Sequence, residues 1–392
     1  MHPSERIFGS KDRRLGGNTI LLCVTGSIAA TETVKLAREL IRHGARVVPF
    51  MTEAACRIIC PDALHFASGN EPVTSLTGAV EHISAVSGER VAVIVAPATA
   101  DIIGKISHGL ADDAVSALCL NALGCGVPMI VAPSMGASMM DNPFVKVNME
   151  RLRRQGINVL PAVVAENEAK LLDASTILAE ASRCFSAGLL KRRNVLVVGG
   201  AGEEPFDDVR FITSRSSGRT AVEIATCAYE QKANVMLWYG RMDAEIPSFV
   251  GSRPFRRLSD LSANISGRKF DIVIVPASLP DFVPEKRSGK ISSGSELSLR
   301  LKRAPKFVDE VRDRCRVLVA FKAEIGDDAH VIESARKRMR KGKFDIIVAN
   351  SLDDVSAENT RAHIIDADGV QTVTGTKREL AEALIAKVAR LK

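Results

Sequence analysis

The sequence predicts an α/β protein made of two three-layer domains, each built on a mostly parallel sheet. Short apolar runs of strand length alternate with helical patterns, and that alternation starts twice along 392 residues. Aromatic residues make up only 4% of the chain, with one Trp and two Tyr, so its cores rest on Val, Ile, Leu and Ala. Strands of that composition are the ones buried on both faces by crossover helices.

The first strand is Ile20–Val24, and the helix after it spans Ala29–His43, with Val34, Ala37 and Ile41 on one face and Gly44 as its stop. Arg46–Met51, Val91–Ala96 and Val127–Ala132 continue the sheet. The rhythm restarts at Val195–Val198 and runs through Asn234–Tyr239, Phe270–Val275, Val317–Phe321 and Phe344–Ala349. Ala362–Ile365 and Val370–Val373 flank Asp368-Gly369 and read as a hairpin, followed by a helix over Lys377–Leu391.

A helix rich in Ala and Leu ends near Gly188, and Lys191-Arg192-Arg193 precedes a new strand, which places the domains at 19–187 and 193–392. Residues 1–18 are polar and are expected to form a disordered lead.

The composition excludes several functions. The net charge is +7, yet the basic residues are dispersed except over 336–343, and no aromatic stacking surface accompanies them, so nucleic acid is not an expected partner. No apolar run approaches the roughly 20 residues of a membrane span. Eight cysteines with no C-x-x-C pair and no secretory signal ahead of them read as reduced thiols of a cytoplasmic protein.

Function is carried by loops at strand ends. Thr25-Gly26-Ser27-Ile28 follows the first strand and opens a helix, where backbone N–H groups can face a phosphate and Gly26 permits close approach. Met51-Thr52-Glu53-Ala54-Ala55, Ala96-Pro97-Ala98-Thr99-Ala100-Asp101 and Ala132-Pro133-Ser134-Met135-Gly136 also sit at strand ends, and Gly109 to Ser116 lies between the last two. Loops at one edge of an open α/β sheet form the crevice that binds ligands in doubly wound, Rossmann-like or flavodoxin-like folds. His82 stands alone about ten residues before the third strand.

These motifs, in this order, resemble the flavin-containing cysteine decarboxylases. The resemblance implies FMN held by Gly26, Ser27, Ile28, Thr52, Ala98, Thr99, Ser116 and Met135, with His82 as the catalytic base or orienting group. The implied chemistry is oxidation of a C-terminal cysteine thiol by the flavin, which lets the neighbouring carboxylate leave as carbon dioxide. The chain departs from the pattern at Gly136, where an Asn is expected, and in the flap at 161–173, which contains no Cys.

The second half carries a glycine-rich turn at Gly199-Gly200-Ala201-Gly202, then Asp207-Asp208-Val209-Arg210-Phe211-Ile212-Thr213-Ser214-Arg215-Ser216-Ser217-Gly218. Further on are Ala277 to Ile291, Ala320 to Glu324, two lysines four apart at Lys337 and Lys341, and Asp345 to Asn350. This set resembles the phosphopantothenate–cysteine ligases. The resemblance implies nucleotide contacts from Asp281, Lys286, Lys290, Phe321, Lys337 and Lys341, and substrate contacts from Ser216, Ser217 and Gly218. Ser214 takes the place of an Asn that acts on the acyl-nucleotide.

The whole chain thus resembles the fused decarboxylase–ligase family of coenzyme A biosynthesis, and its archaeal-like branch in the flap. The implied substrates are 4'-phosphopantothenate, cysteine and CTP, with Mg²⁺ whose ligands the sequence does not identify, in a homo-oligomer formed through both domains. Two other readings stay open: a ligase with a degenerate decarboxylase half, and a flavin-binding regulatory subunit.

Overall fold

The computed structural model describes the chain except residues 166–167, 171–172, 293–295, 352–358 and 392, and except the side chains of 163–165 and 168–170. The flap stretch therefore lies partly outside the described residues. The chain divides into two units, Met1–Phe185 and Ser186–Lys392.

In the first unit, β1 (Thr19–Val24), β2 (Arg46–Met51), β3 (Val91–Ala98), β4 (Met129–Pro133) and β5 (Asn158–Val159) form a parallel sheet in the order β2-β1-β3-β4-β5. Alternate residues feed opposite cores. Ile20, Leu22 and Val24 pack with the helices Thr33–Arg42 and Pro61–Ser68, whereas Leu21 and Cys23 pack with Ala100–His108 and Ala114–Gly124. Side chains along a strand alternate faces, so a continuous apolar run serves both layers. The two-residue strand β5 is too short and too polar at Asn158 to show as a periodic run, and the sequence does not reveal it.

Two expectations need correction here. The helix after β1 begins as a 3-10 turn over Ile28–Glu32 and becomes α-helical only at Thr33. The supposed disordered lead is an ordered segment, with Leu15 fully buried and a short helix at Pro3–Arg6. Its backbone N–H groups at Gly9, Lys11 and Leu15 donate to the carbonyls of Ile41, Arg42 and His43 at 3.0, 3.1 and 2.9 Å. Polar composition misled because these residues satisfy carbonyls that the end of a helix leaves open.

Asp12 anchors that segment, with Arg14 Nη2 at 2.6 Å and His43 Nδ1 at 2.8 Å from its carboxylate. Burial alone would raise its carboxyl, but the hydrogen bonds from His43 and Arg14 outweigh it and hold the group well below the usual carboxylate range. A depressed carboxylate stabilises the fold above its unfolded value and loses that contribution as pH falls through the folded one. The stability difference between the protein and Asp12→Asn is therefore expected to be full at neutral pH and to shrink below about pH 4, as read from urea unfolding at several pH values.

In the second unit, β6 (Asn194–Gly199), β7 (Asn234–Tyr239), β8 (Gly251–Pro254), β9 (Phe270–Val275), β10 (Cys315–Glu324), β11 (Ile346–Ser351), β12 (Asn359–Ile365) and β13 (Val370–Thr376) form one sheet. Its order is β8-β7-β6-β9-β10-β11-β12-β13, parallel up to β11 and antiparallel beyond it. Ile365 pairs with Val370, so the hairpin forms around Asp368-Gly369 as the turn residues require. The helices Arg219–Glu230 and Lys377–Val388 cover one face, and Leu258–Ile265 and Asp328–Gly342 cover the other.

Among the described residues no helix is long and apolar enough to cross a membrane. All eight cysteines are free thiols.

Candidate functional site

In the first unit β1 and β2 lie to one side and β3 and β4 to the other, so the loops after these strands open a crevice at the carboxyl edge. A cavity of about 700 Å³ occupies it, lined by Thr25 to Ser27, Thr52 to Ala54, Thr99 to Asp101, Ser134 and Met135. Gly26 is needed sterically, because a Cβ there would lie 2.5 Å from that of Ala54.

Thr25 locks two of these loops together, donating to the Pro97 carbonyl at 2.6 Å and accepting from the Thr99 N–H at 3.2 Å. Ser27, Thr52 and Thr99 each cap the turn that follows, accepting from Ala29, Ala55 and Ile102 at 3.4, 3.2 and 3.3 Å. Capping hydroxyls beside uncovered helical N–H groups make a surface suited to an anion. Thr99→Ala removes one such cap and is expected to lower the stability of this unit by about 1 kcal/mol, measured by urea unfolding.

One wall is charged. Lys105 Nζ lies 3.1 Å from both Asp112 and Asp113 and 3.3 Å from Asp101. Partial burial opposes its charge, but these carboxylates outweigh it and hold the ammonium above its ordinary range. Arg57 adds a second cation, paired with Glu53.

The structure brings Gly26, Ser27, Thr52, Thr99 and Met135 together at this cavity, and four further residues named from the sequence are not in its lining. Ser116 is fully buried and closes a capping box with Asp113, accepting from its N–H at 3.1 Å, so its hydroxyl is spent inside the fold. Ala98 is enclosed in β3, and Ile28 is 74% exposed away from the lining. His82 sits in a short helix, Glu81–Ser84, outside the cavity of its own chain, with Nδ1 enclosed and without a partner. Sequence reasoning missed Lys105 and Arg57, whose only signal was a charge one helical turn from Asp101 and Glu53.

In the second unit the loops after β6, β7 and β9 meet at the carboxyl edge, where Ala201 bridges both Arg241 and Ser278. Gly240 allows this contact, since a Cβ there would lie 2.2 Å from the Ala201 carbonyl oxygen. Gly218, at φ +73°, caps the helix Arg219–Glu230, and a Cβ would lie 2.4 Å from Met242 Sδ. Ser214 is exposed, and Ser216 and Ser217 are half-buried just ahead of that helix end.

The remaining residues are dispersed along the same unit. Asp281 is paired with Lys306, and Lys286 Nζ lies 2.6 Å from Asp208. Lys290 is exposed, and Phe321 lies near the carboxyl end of β10. Lys337 and Lys341 are exposed on the later turns of Asp328–Gly342, a helix that runs from the carboxyl end of β10 back toward the amino end of β11. That direction carries them away from the edge that holds Gly218. Among the described residues no group of three or more His, Cys, Asp or Glu is placed to hold a metal.

The flavoprotein family profile matches residues 9–185, and the profile of the DNA/pantothenate metabolism flavoprotein C-terminal domain matches residues 190–391. Fold, cavity and profiles together define a two-domain flavoprotein of pantothenate metabolism.

The coenzyme A biosynthesis bifunctional protein CoaBC of Thermococcus kodakarensis is 38% identical, covering 98% of this chain and 98% of its own length. Its counterpart in Methanocaldococcus jannaschii is 34% identical, covering 100% and 98%. The solved DNA/pantothenate metabolism flavoprotein of Streptococcus pneumoniae is 26% identical, covering 50% of this chain and 98% of that one, with a TM-score of 0.46. The chain belongs to the family of coenzyme A biosynthesis bifunctional proteins.

Proposed function

We propose that the chain performs two consecutive steps of coenzyme A biosynthesis. The second unit activates 4'-phosphopantothenate with CTP as an acyl-cytidylate, releases pyrophosphate and lets the amine of cysteine displace the nucleotide. The first unit then decarboxylates phosphopantothenoylcysteine to 4'-phosphopantetheine. The reading rests on one observation: both sheets end, at their carboxyl edges, in glycine-built turns beside open helix starts, Gly26 in one unit and Gly218 in the other.

FMN suits the first cavity. Its volume of about 700 Å³ falls in the range of cofactor sites, and Gly26, Ser27, Thr52 and Thr99 supply N–H groups and hydroxyls for a phosphate and ribityl chain. Met135 supplies an apolar wall. Bound flavin would supply reversible two-electron chemistry, taking two electrons from the substrate thiol before carbon dioxide leaves and returning them afterwards, so that the overall step is redox-neutral. Lys105 is kept charged by Asp101, Asp112 and Asp113, and this ion cluster holds the loops of that wall together. His82 reaches the cavity of a neighbouring copy in a homo-oligomer, which is why it stands outside its own.

In the second unit Ser216, Ser217 and the N–H groups after Gly218 hold the phosphate of phosphopantothenate. Lys286 and Lys290 face the nucleotide phosphates, with Mg²⁺ arriving on CTP and offsetting the charge that develops there. The protein works in the cytoplasm.

The test is turnover by each half. Purified protein is incubated with phosphopantothenate, CTP, Mg²⁺ and cysteine, and pyrophosphate, carbon dioxide and phosphopantetheine are followed. All three products are expected. Pyrophosphate without carbon dioxide would reduce the protein to a ligase, and neither product, with flavin still bound, would make it a regulatory subunit.

A further inference from the structure

Two adjacent aspartates tie the segment that carries Lys286 and Lys290 to the turn that carries Arg210. Asp207 is 1% exposed. Its Oδ1 accepts from the N–H groups of Val209 and Arg210 at 2.8 and 2.6 Å. Its Oδ2 accepts from Arg210 Nε and Nη2 at 2.9 and 2.6 Å, and from the Ile291 N–H at 3.3 Å. Arg210 Nη2 donates in turn to the Ile291 carbonyl at 2.9 Å, and its guanidinium lies 5.3 Å from the centre of the Phe206 ring. One buried carboxylate and one guanidinium thus bind a single turn to a single point on the facing loop, two guanidinium donors converging on Oδ2 while Oδ1 takes the backbone of the turn.

The second joint is different. Asp208 Oδ2 accepts from the Gly289 N–H at 2.6 Å, while Asp208 N–H donates to the Gly289 carbonyl at 3.2 Å. Asp208 Oδ1 lies 2.6 Å from Lys286 Nζ, and those two side chains are 48% and 44% exposed. The Arg287 N–H donates to the Phe206 carbonyl at 3.0 Å, adding a backbone rung between the two segments. An exposed ion pair exchanges partners readily, and a nucleotide phosphate can replace the Asp208 carboxylate on Lys286 without disturbing Asp207.

We propose that Asp207 and Arg210 form a fixed latch that positions residues 286–291 for the nucleotide, while Asp208 holds Lys286 until a nucleotide phosphate displaces it. The proposal deepens the ligase reading given above and rests on it. Asp207 is a positioning residue, acting through Arg210 and the facing backbone. Its carboxylate is fully occupied within the protein, which leaves Lys286 and Lys290 to meet the ligand. Asp208 presents an anion where the phosphate is to sit, so the loop is held near its working position before CTP arrives.

Full-length protein and the variants Asp207→Asn, Arg210→Lys and Asp208→Asn are compared by calorimetric titration with CTP and Mg²⁺, by amide hydrogen exchange, and by steady-state pyrophosphate release. In Asp207→Asn the amides of 287–291 are expected to exchange faster, with CTP affinity and the KM for CTP weakened about tenfold or more and the KM for phosphopantothenate changed less than about twofold. Arg210→Lys keeps the charge and loses the simultaneous contacts to Asp207 Oδ2 and the Ile291 carbonyl, so it is expected to behave the same way, and it decides the matter if Asp207→Asn does not fold. Asp208→Asn is expected to leave exchange at 287–291 near its original rate and to bind CTP as tightly as, or more tightly than, the unsubstituted protein.

Faster exchange with unchanged CTP affinity would overturn the latch, as would unchanged exchange in both Asp207→Asn and Arg210→Lys. Equal weakening of CTP binding by Asp208→Asn would overturn the displaceable role of Asp208. Absence of pyrophosphate release from the unsubstituted protein would defeat the proposed function alone, since the latch is read from CTP binding and amide exchange.

Discussion

His82→Asn is expected to lower carbon dioxide release by about 10²- to 10⁴-fold, the usual contribution of a positioned acid–base group, while pyrophosphate release continues unchanged. His82 is half-buried in the helix Glu81–Ser84, its backbone carbonyl accepting from Asn121 Nδ2 at 2.8 Å. The ring is therefore held on a secured backbone, with Nδ1 enclosed and unpartnered. An enclosed imidazole nitrogen without a partner is a cost to the fold, and His82→Asn tests whether the ring is kept there for catalysis. Both products are measured on one preparation, and equal loss of both would refute the separation of tasks between the halves. Mixed oligomers supply a second readout. If His82 serves a neighbouring copy, His82→Asn chains assembled with chains whose cavity is blocked by Gly26→Val regain decarboxylation.

Arg378→Ala is expected to destabilise the second unit by about 3–5 kcal/mol, the usual consequence of stripping one partner from a buried ion pair. Arg378 and Glu230 are 8% and 3% exposed, and they pair between the helices Lys377–Val388 and Arg219–Glu230, with Glu382 bonding the same guanidinium at 2.7 Å. Without the arginine, Glu230 loses the ion pair that offsets its burial between two packed helices. Replacing both partners by methionine is expected to restore most of the loss, because neither charge then needs solvation. Trp238, the one tryptophan of the chain, is fully buried in this unit, so its fluorescence during urea unfolding reports on the second unit alone.

Most of the fold was legible because it is written in local, periodic signals. Apolar runs such as Ile20–Val24 and Phe270–Val275 can be satisfied only by burial on both faces, and the glycines and hydroxyls after them mark where strands give way to helices. The hairpin about Asp368-Gly369 was readable for the same reason. So were Gly26, Ser27, Thr52 and Thr99 as residues of one edge, since the carboxyl ends of parallel strands must share it.

What only the tertiary structure decided depends on partners far apart in sequence. Polar residues 1–18 carry no apolar period, yet they fold because the end of Thr33–Arg42 leaves carbonyls that they can satisfy. Ser116 reads as a ligand hydroxyl in its motif, and the capping box with Asp113 turns it inward instead. Lys105 gains its charged surroundings from aspartates placed by helix geometry and by the turn after Gly109. The pairing of Asp207 and Asp208 with residues 286–291, about eighty positions away, follows no local pattern. It exists because the parallel sheet delivers both loops to one edge, where a buried carboxylate must find donors.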